Sequence, residues 1–167
     1  MDQGLAAVLG AAVGVLGSTL ASALAGRQQE RSQREHWRRQ RRRDAYAAFM
    51  DHGMRMVHSV TDLHSLLSSP EENSEEAAVR LGDLRTRKDE LDRLTVLVIL
   101  EGPSEVSDLA DVVAADFTEL RNCLTGWLEC RQLGMSTELH RETYQEIIDR
   151  IDSRSDEFMN KARLSLN

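Results

Sequence analysis

From Tyr46 to Ala162 the apolar residues of this chain recur at intervals built from threes and fours, in four successive runs. The first is Tyr46, Phe49, Met56, Val60, Leu63 and Leu67, with Gly53 inside it. The second is Leu81, Leu84, Leu91, Leu94 and Val98. The third is Val106, Leu109, Val113, Phe117, Leu120, Leu124 and Trp127. The fourth is Leu139, Tyr144, Ile147, Ile148, Ile151, Phe158 and Ala162. This spacing gathers apolar side chains on one face of an α-helix. A helix with one apolar stripe must bury it against another element. The breaks between runs carry turn chemistry. Ser69-Pro70-Glu71-Glu72-Asn73-Ser74 is a loop, with Asn73 and Glu76 placed as N-cap and N3 of the second helix. Glu101-Gly102-Pro103 pairs a helix-ending Gly with a Pro suited to open the next helix. Leu133-Gly134-Met135 ends the third run. Thr95 to Leu100 (TVLVIL) could pass alone for a strand, but it closes a long helical pattern and is expected to be a helix end buried on several sides. Four helices joined by short loops predict an all-α fold, an antiparallel up-down-up-down four-helix bundle.

Ahead of these runs, Gln3 to Gly26 holds 24 residues without a charge. A bilayer core needs about 20 residues in a helix, so the segment is expected to be a transmembrane helix continuing into the bundle. It stops abruptly in arginine. Arg27 to Arg43 carries eight arginines against two glutamates, a net of +6, whereas Asp44 to Asn167 carries 13 basic and 25 acidic residues, a net of −12. The positive-inside rule places the arginine flank in the cytoplasm and the N-terminus outside. The expected organisation is a membrane helix at 1–26, an Arg-rich helical neck at 27–43 and an acidic bundle at 44–167. Arg27, Arg31, Arg34, Arg38 and Arg39 are the candidate topology and membrane-surface residues. Each near anionic headgroups contributes on the order of 1 kcal/mol. Glu30 with Arg34, and Glu35 with Arg39, are spaced for i,i+4 pairing. Gly10, Gly14, Gly17 and Ala21 form a small-residue ridge that lets membrane helices approach closely. One rival must be carried. Ala23-Leu24-Ala25 before Gly26 fits a signal-peptidase site, and cleavage there would export a soluble protein. The opening Met-Asp-Gln lacks the positive charge of a secretory leader, which favours the anchor.

The search for chemistry is negative. GAAVGVLGST lacks the lysine of a phosphate-binding loop. There is no Glu-x-x-His and no His-Glu-x-x-His, and the five histidines (His36, His52, His58, His64, His140) are expected at surface or boundary positions. His58 and Asp62 are spaced to pair. Cys123 and Cys130, two turns apart on one helix, are too distant to bridge and have no spaced histidine on their own helix. They are expected to be buried apolar side chains. Acidic pairs such as Glu75-Glu76 read as solvated. No catalytic residue, cofactor or metal is expected. The arginine run could meet phosphates, but the acidic body and adjoining apolar run argue for anionic lipid, not nucleic acid.

The segment EHWRRQRRRDAYAAF (Glu35 to Phe49), after an Ala/Gly-rich span, resembles uncharacterised single-span membrane proteins of actinobacteria, Streptomyces in particular. The GPSEV turn (Gly102 to Val106) is similar to turns in such proteins. The resemblance implies a bacterial membrane setting and no particular activity. The leading expectation is therefore a membrane-anchored cytoplasmic module that binds a protein partner or copies of itself. A holin-like or pore-forming effector assembling through the glycine ridge is the second, and a secreted helical protein the third.

Overall fold

The computed structural model describes residues 3–69 and 74–166, with side chains from residue 33 onward. The described residues form four helices: α1 (Gln3–Ser68), α2 (Ser74–Glu101), α3 (Ser104–Gln132) and α4 (Glu138–Ser165). No strand occurs among the described residues, and TVLVIL is helical. The proposed cap at Asn73 lies outside the described residues. The chain divides into two compact units, Met1–Gln40 and Arg41–Asn167.

Within Arg41–Asn167 the four helices pack against one another, and cross-helix pairs give their directions. Along α1 and α2 the pairs run in opposite order: Arg42 with Glu101, His52 with Arg87, Asp62 with Arg80. Along α3 and α4 they do so again, from Glu105 with Lys161 through Asp116 with Arg150 and Arg154 to Cys130 with His140. Tyr46 and Phe49 of α1 meet Phe158 of α4, while His64 meets Tyr144. Neighbouring helices are thus antiparallel, as short connections require.

Most of the predicted stripe residues form the core, joined by Ala77, Ala110, Ala114 and Leu128, while Leu81, Leu94, Leu109 and Ile148 are only partly buried. Phe49, Met56, Leu84, Leu120, Trp127 and Phe158 are among its fully buried side chains. Truncating such a residue to Ala typically costs 2–5 kcal/mol, roughly. One aromatic cluster closes each end, Tyr46–Phe49–Phe158 at one and His64–Trp127–Tyr144 at the other. Leu139 departs from its stripe and is exposed, because it sits in the first turn of α4, beyond the seam.

The helix ends follow local chemistry. After α3, Gly134 adopts φ 67°, Met135 N donates to the Cys130 carbonyl and Gly134 N to that of Arg131. That paired arrangement satisfies two carbonyls the helix leaves open, and only Gly takes the left-handed position cheaply. Gly102 has another reason to be Gly. A Cβ there would lie 2.8 Å from the Val98 carbonyl oxygen and 2.9 Å from the Tyr46 hydroxyl. Pro103 occupies the N-cap of α3, not its first helical position. The Arg131 guanidinium donates to the carbonyls of Leu66 and Leu67 at the end of α1, where the helix dipole favours a cation.

Several sequence expectations are corrected here. The end of α2 is not buried on several sides: Thr95 and Val98 face the core, but Val96, Leu97, Ile99 and Leu100 are exposed. Six consecutive helical residues sweep the whole circumference at 3.6 per turn, and the bundle covers one side only. Leu94 is partly buried, and Thr95 takes the core position. His52 is buried, its Nε2 2.7 Å from the Arg87 carbonyl. His58 does not pair with Asp62. Its Nδ1 lies 3.0 Å from the Met54 carbonyl, and Asp62 faces Arg80. Among the described residues no ion pair joins Glu35 to Arg39.

Candidate functional site

The residues singled out in the sequence divide by location. Gly10, Gly14, Gly17, Ala21, Arg27 and Arg31 lie outside the residues whose side chains are described. Arg34, Arg38 and Arg39 are exposed on α1 in the unit Met1–Gln40, with Trp37 also exposed. Among the residues whose side chains are described, from 33 onward, no helix is long and apolar enough to cross a membrane, and the run Gln3 to Gly26 lies outside them. The last neck arginines belong with the bundle: Arg42 Nε donates to the Glu101 carbonyl at 2.6 Å, and Arg41 lies 3.4 Å from the Glu101 carboxylate.

The candidate site that stands out is the outer face of α2. Val96 is 52% exposed, Leu97 47%, Ile99 45% and Leu100 73%. Val96 and Leu100 are four apart, Leu97 and Leu100 three apart, so they form a contiguous apolar surface pointing away from the seam that Leu84, Leu91 and Val98 bury. Single exposed apolar residues need no explanation, but a cluster on one helix face does. Arg93 lies one turn before the patch, paired with Glu90 at 3.1 Å, and Glu101 follows it.

A second group lies where α3 and α4 approach the loop between them. Cys130 Sγ is 3.4 Å from His140 Nε2, and Cys123 Sγ donates to the His140 carbonyl at 3.3 Å. Both thiols are free. The imidazole that neither cysteine has on its own helix arrives from α4, and spacing within one helix carries no signal of it. Gly126 makes room, since a Cβ there would meet the His140 ring at 2.8 Å. Burial, helped by the Glu119 carboxylate, pushes the Cys123 thiol up to about 11. That is the opposite of what a nucleophile requires. Nearby, His64 stacks on Tyr144 at 4.2 Å and meets the edge of Trp127 at 5.3 Å. Burial, and then the charge of Arg141, hold its pKa below the ordinary range. No group of His, Cys, Asp and Glu among the described residues is arranged to hold a metal ion. The arrangement packs the bundle end, with the His140 backbone and ring holding the two thiols.

No protein-family model, no curated protein and no solved structure matches the chain.

Proposed function

We propose that this chain is a single-pass membrane protein whose acidic helical body lies in the cytoplasm and pairs with a second copy through the outer face of α2. The uncharged run from Gln3 to Gly26 would be the anchor. Arg27, Arg31, Arg34, Arg38 and Arg39 would orient it and meet anionic headgroups. Gly10, Gly14, Gly17 and Ala21 would let two spans approach. The reading assigns no catalytic role, cofactor or nucleic acid.

The observation that carries the pairing is the exposure of Val96, Leu97, Ile99 and Leu100 together. The face is self-complementary. Arg93 lies four residues before Leu97 and Glu101 four after it, so two α2 helices crossing antiparallel at Leu97 bring Arg93 of one to the level of Glu101 of the other. Four side chains are far fewer than the roughly 20–30 residues a side of a standard interface. The contact would be transient in solution and would gain from two copies sharing a bilayer, where effective concentrations reach the mM range, roughly.

The test is the full chain in a bacterial host with a photo-crosslinking amino acid at Leu100 and protease added to spheroplasts. The expected result is a full-length mass in the membrane fraction, a body protected until lysis, and an adduct of twice the chain mass. That adduct should disappear with Leu97→Asp. Adducts of another mass alone would sink the self-pairing. A soluble exported chain beginning at Gly26 would sink the anchoring.

A further inference from the structure

The seam between α1 and α4 is open at its middle. There α1 presents Gly53 and α4 presents Ser155, two small residues where the stripes skip from Phe49 to Met56 and from Ile151 to Phe158. The result is a groove of about 440 Å³ whose floor, Val113 and Phe117, belongs to α3. Phe49, Val57 and Ile151 line its walls. A Cβ built on Gly53 meets nothing within 4 Å, so the space is real for a larger group. Met50, Met54 and Met159 edge the groove, and Met54 and Met159 are exposed there. Methionine adapts its shape to an apolar guest.

One rim is acidic. Asp152 and Asp156 lie one turn apart on α4, flanking Ser155, and like charges at that spacing repel. Other acids of the α3–α4 face are matched: Asp116 holds Arg150 and Arg154, Glu119 holds Arg150, and Glu105 holds Lys161. Asp152 and Asp156 meet no cation among the described residues, and the Ser155 hydroxyl makes no hydrogen bond there. On the facing wall His58 has Nδ1 engaged by the Met54 carbonyl.

We propose that this groove binds an amphiphilic cation, its apolar body along Met50, Met54, Val57 and Met159 above the buried Val113 and Phe117, and its ammonium head between Asp152 and Asp156. The volume lies within the roughly 300–1,000 Å³ of small-molecule sites, which join an apolar lining to a few placed polar groups. The site rests on neither the anchoring nor the pairing of copies.

The test is photolabelling of the full chain in a non-ionic detergent with a diazirine-bearing dodecylamine, the adducts mapped by mass spectrometry. Labelling should saturate and fall on Met50, Met54 or Met159. Dodecyltrimethylammonium should compete and laurate should not. Asp152→Asn with Asp156→Asn, both at exposed positions, should weaken labelling about fivefold, the size of one exposed ion pair. Gly53→Leu should abolish it by filling the groove. Partition into micelles is common to all variants, so differences between them report the groove. Labels spread over the surface, equal competition by laurate, or no effect of the paired Asn changes would overturn the proposal. So would competition by a basic amphipathic peptide alone.

Discussion

His64 is exposed enough to titrate and enclosed enough for titration to matter. Its ring stacks on Tyr144 and meets the edge of Trp127. Burial, then Arg141, lower its pKa below 6.5. The unfolded chain therefore takes up this proton more readily than the folded one. The stability tied to a neutral His64 is fully present above pH 6.5 and is lost as pH falls through the lowered folded value. Cys123 bounds the other side. Its thiol is raised from 9.0 to about 11, so its contribution is complete below pH 9 and fades as pH rises toward that value. Urea midpoints across pH 5 to 10 should show both losses. His64→Gln should shrink the acid-side fall and leave the alkaline side in place. An unchanged acid-side slope would mean that carboxylates alone set it. The indole nitrogen of Trp127 is buried with no acceptor among the described residues, at a cost of about 1–3 kcal/mol. The sequence flagged Trp127, Tyr144 and Cys123 as core. It placed His52 wrongly at the surface or boundary and His140 rightly at the boundary, but carried no sign of His140's contact with the two cysteines, because a histidine's environment is decided by neighbours distant in the chain.

At the scale of elements, the skipped positions in the stripes are filled by polar groups at one level of the bundle. His52 fills the step from Phe49 to Met56, and Lys88 the step from Leu84 to Leu91. Beside Phe117, buried Asp116 receives Arg150 at 2.8 Å and Arg154 at 2.6 Å from the gap in α4. A polar layer of this kind can hold register, because a slip would strand a buried charge. The two halves differ in what they would leave behind. Asp116→Ala removes the only buried member of its group, and the arginines left are about one-third exposed, 35% and 36%. Its cost should be about 1–2 kcal/mol, below the 3–5 of a fully buried pair. Lys88→Met keeps the buried stem and leaves only Asp92, whose side chain is 55% exposed. That change should be neutral or stabilising by up to about 1 kcal/mol. Chemical denaturation of both variants checks the contrast, and equal losses would contradict it. The skips are visible in the sequence as seven-residue steps. The helical period admits either Arg87 or Lys88 between Leu84 and Leu91, and only the packing shows that Lys88 is the buried one.

On the scale of the whole molecule, every buried side chain among the described residues belongs to Arg41–Asn167, beginning at Ala45. A chain beginning at Arg41 should therefore keep its helical content and unfold within about 0.5 kcal/mol of the full chain, the size of an ordinary surface change. Calorimetry or urea titration of the two chains would measure this, and a loss of several kcal/mol would show that residues 1–40 support the fold. The observed division falls three residues before the one drawn from charge, because Arg41 and Arg42 reach Glu101. The sequence by itself determined the four helices, their breaks and the apolar seams, because helical period and turn chemistry are local and apolar stripes have one place to go. Only the tertiary structure decided what meets across helices: Cys130 with His140, Gly53 beside Ser155 over Phe117, Asp116 between two arginines. It alone decided that the apolar turn of α2 at Val96, Leu97 and Leu100 faces outward. A helix in a four-helix bundle buries one side, and periodicity alone cannot say whether anything packs on the other.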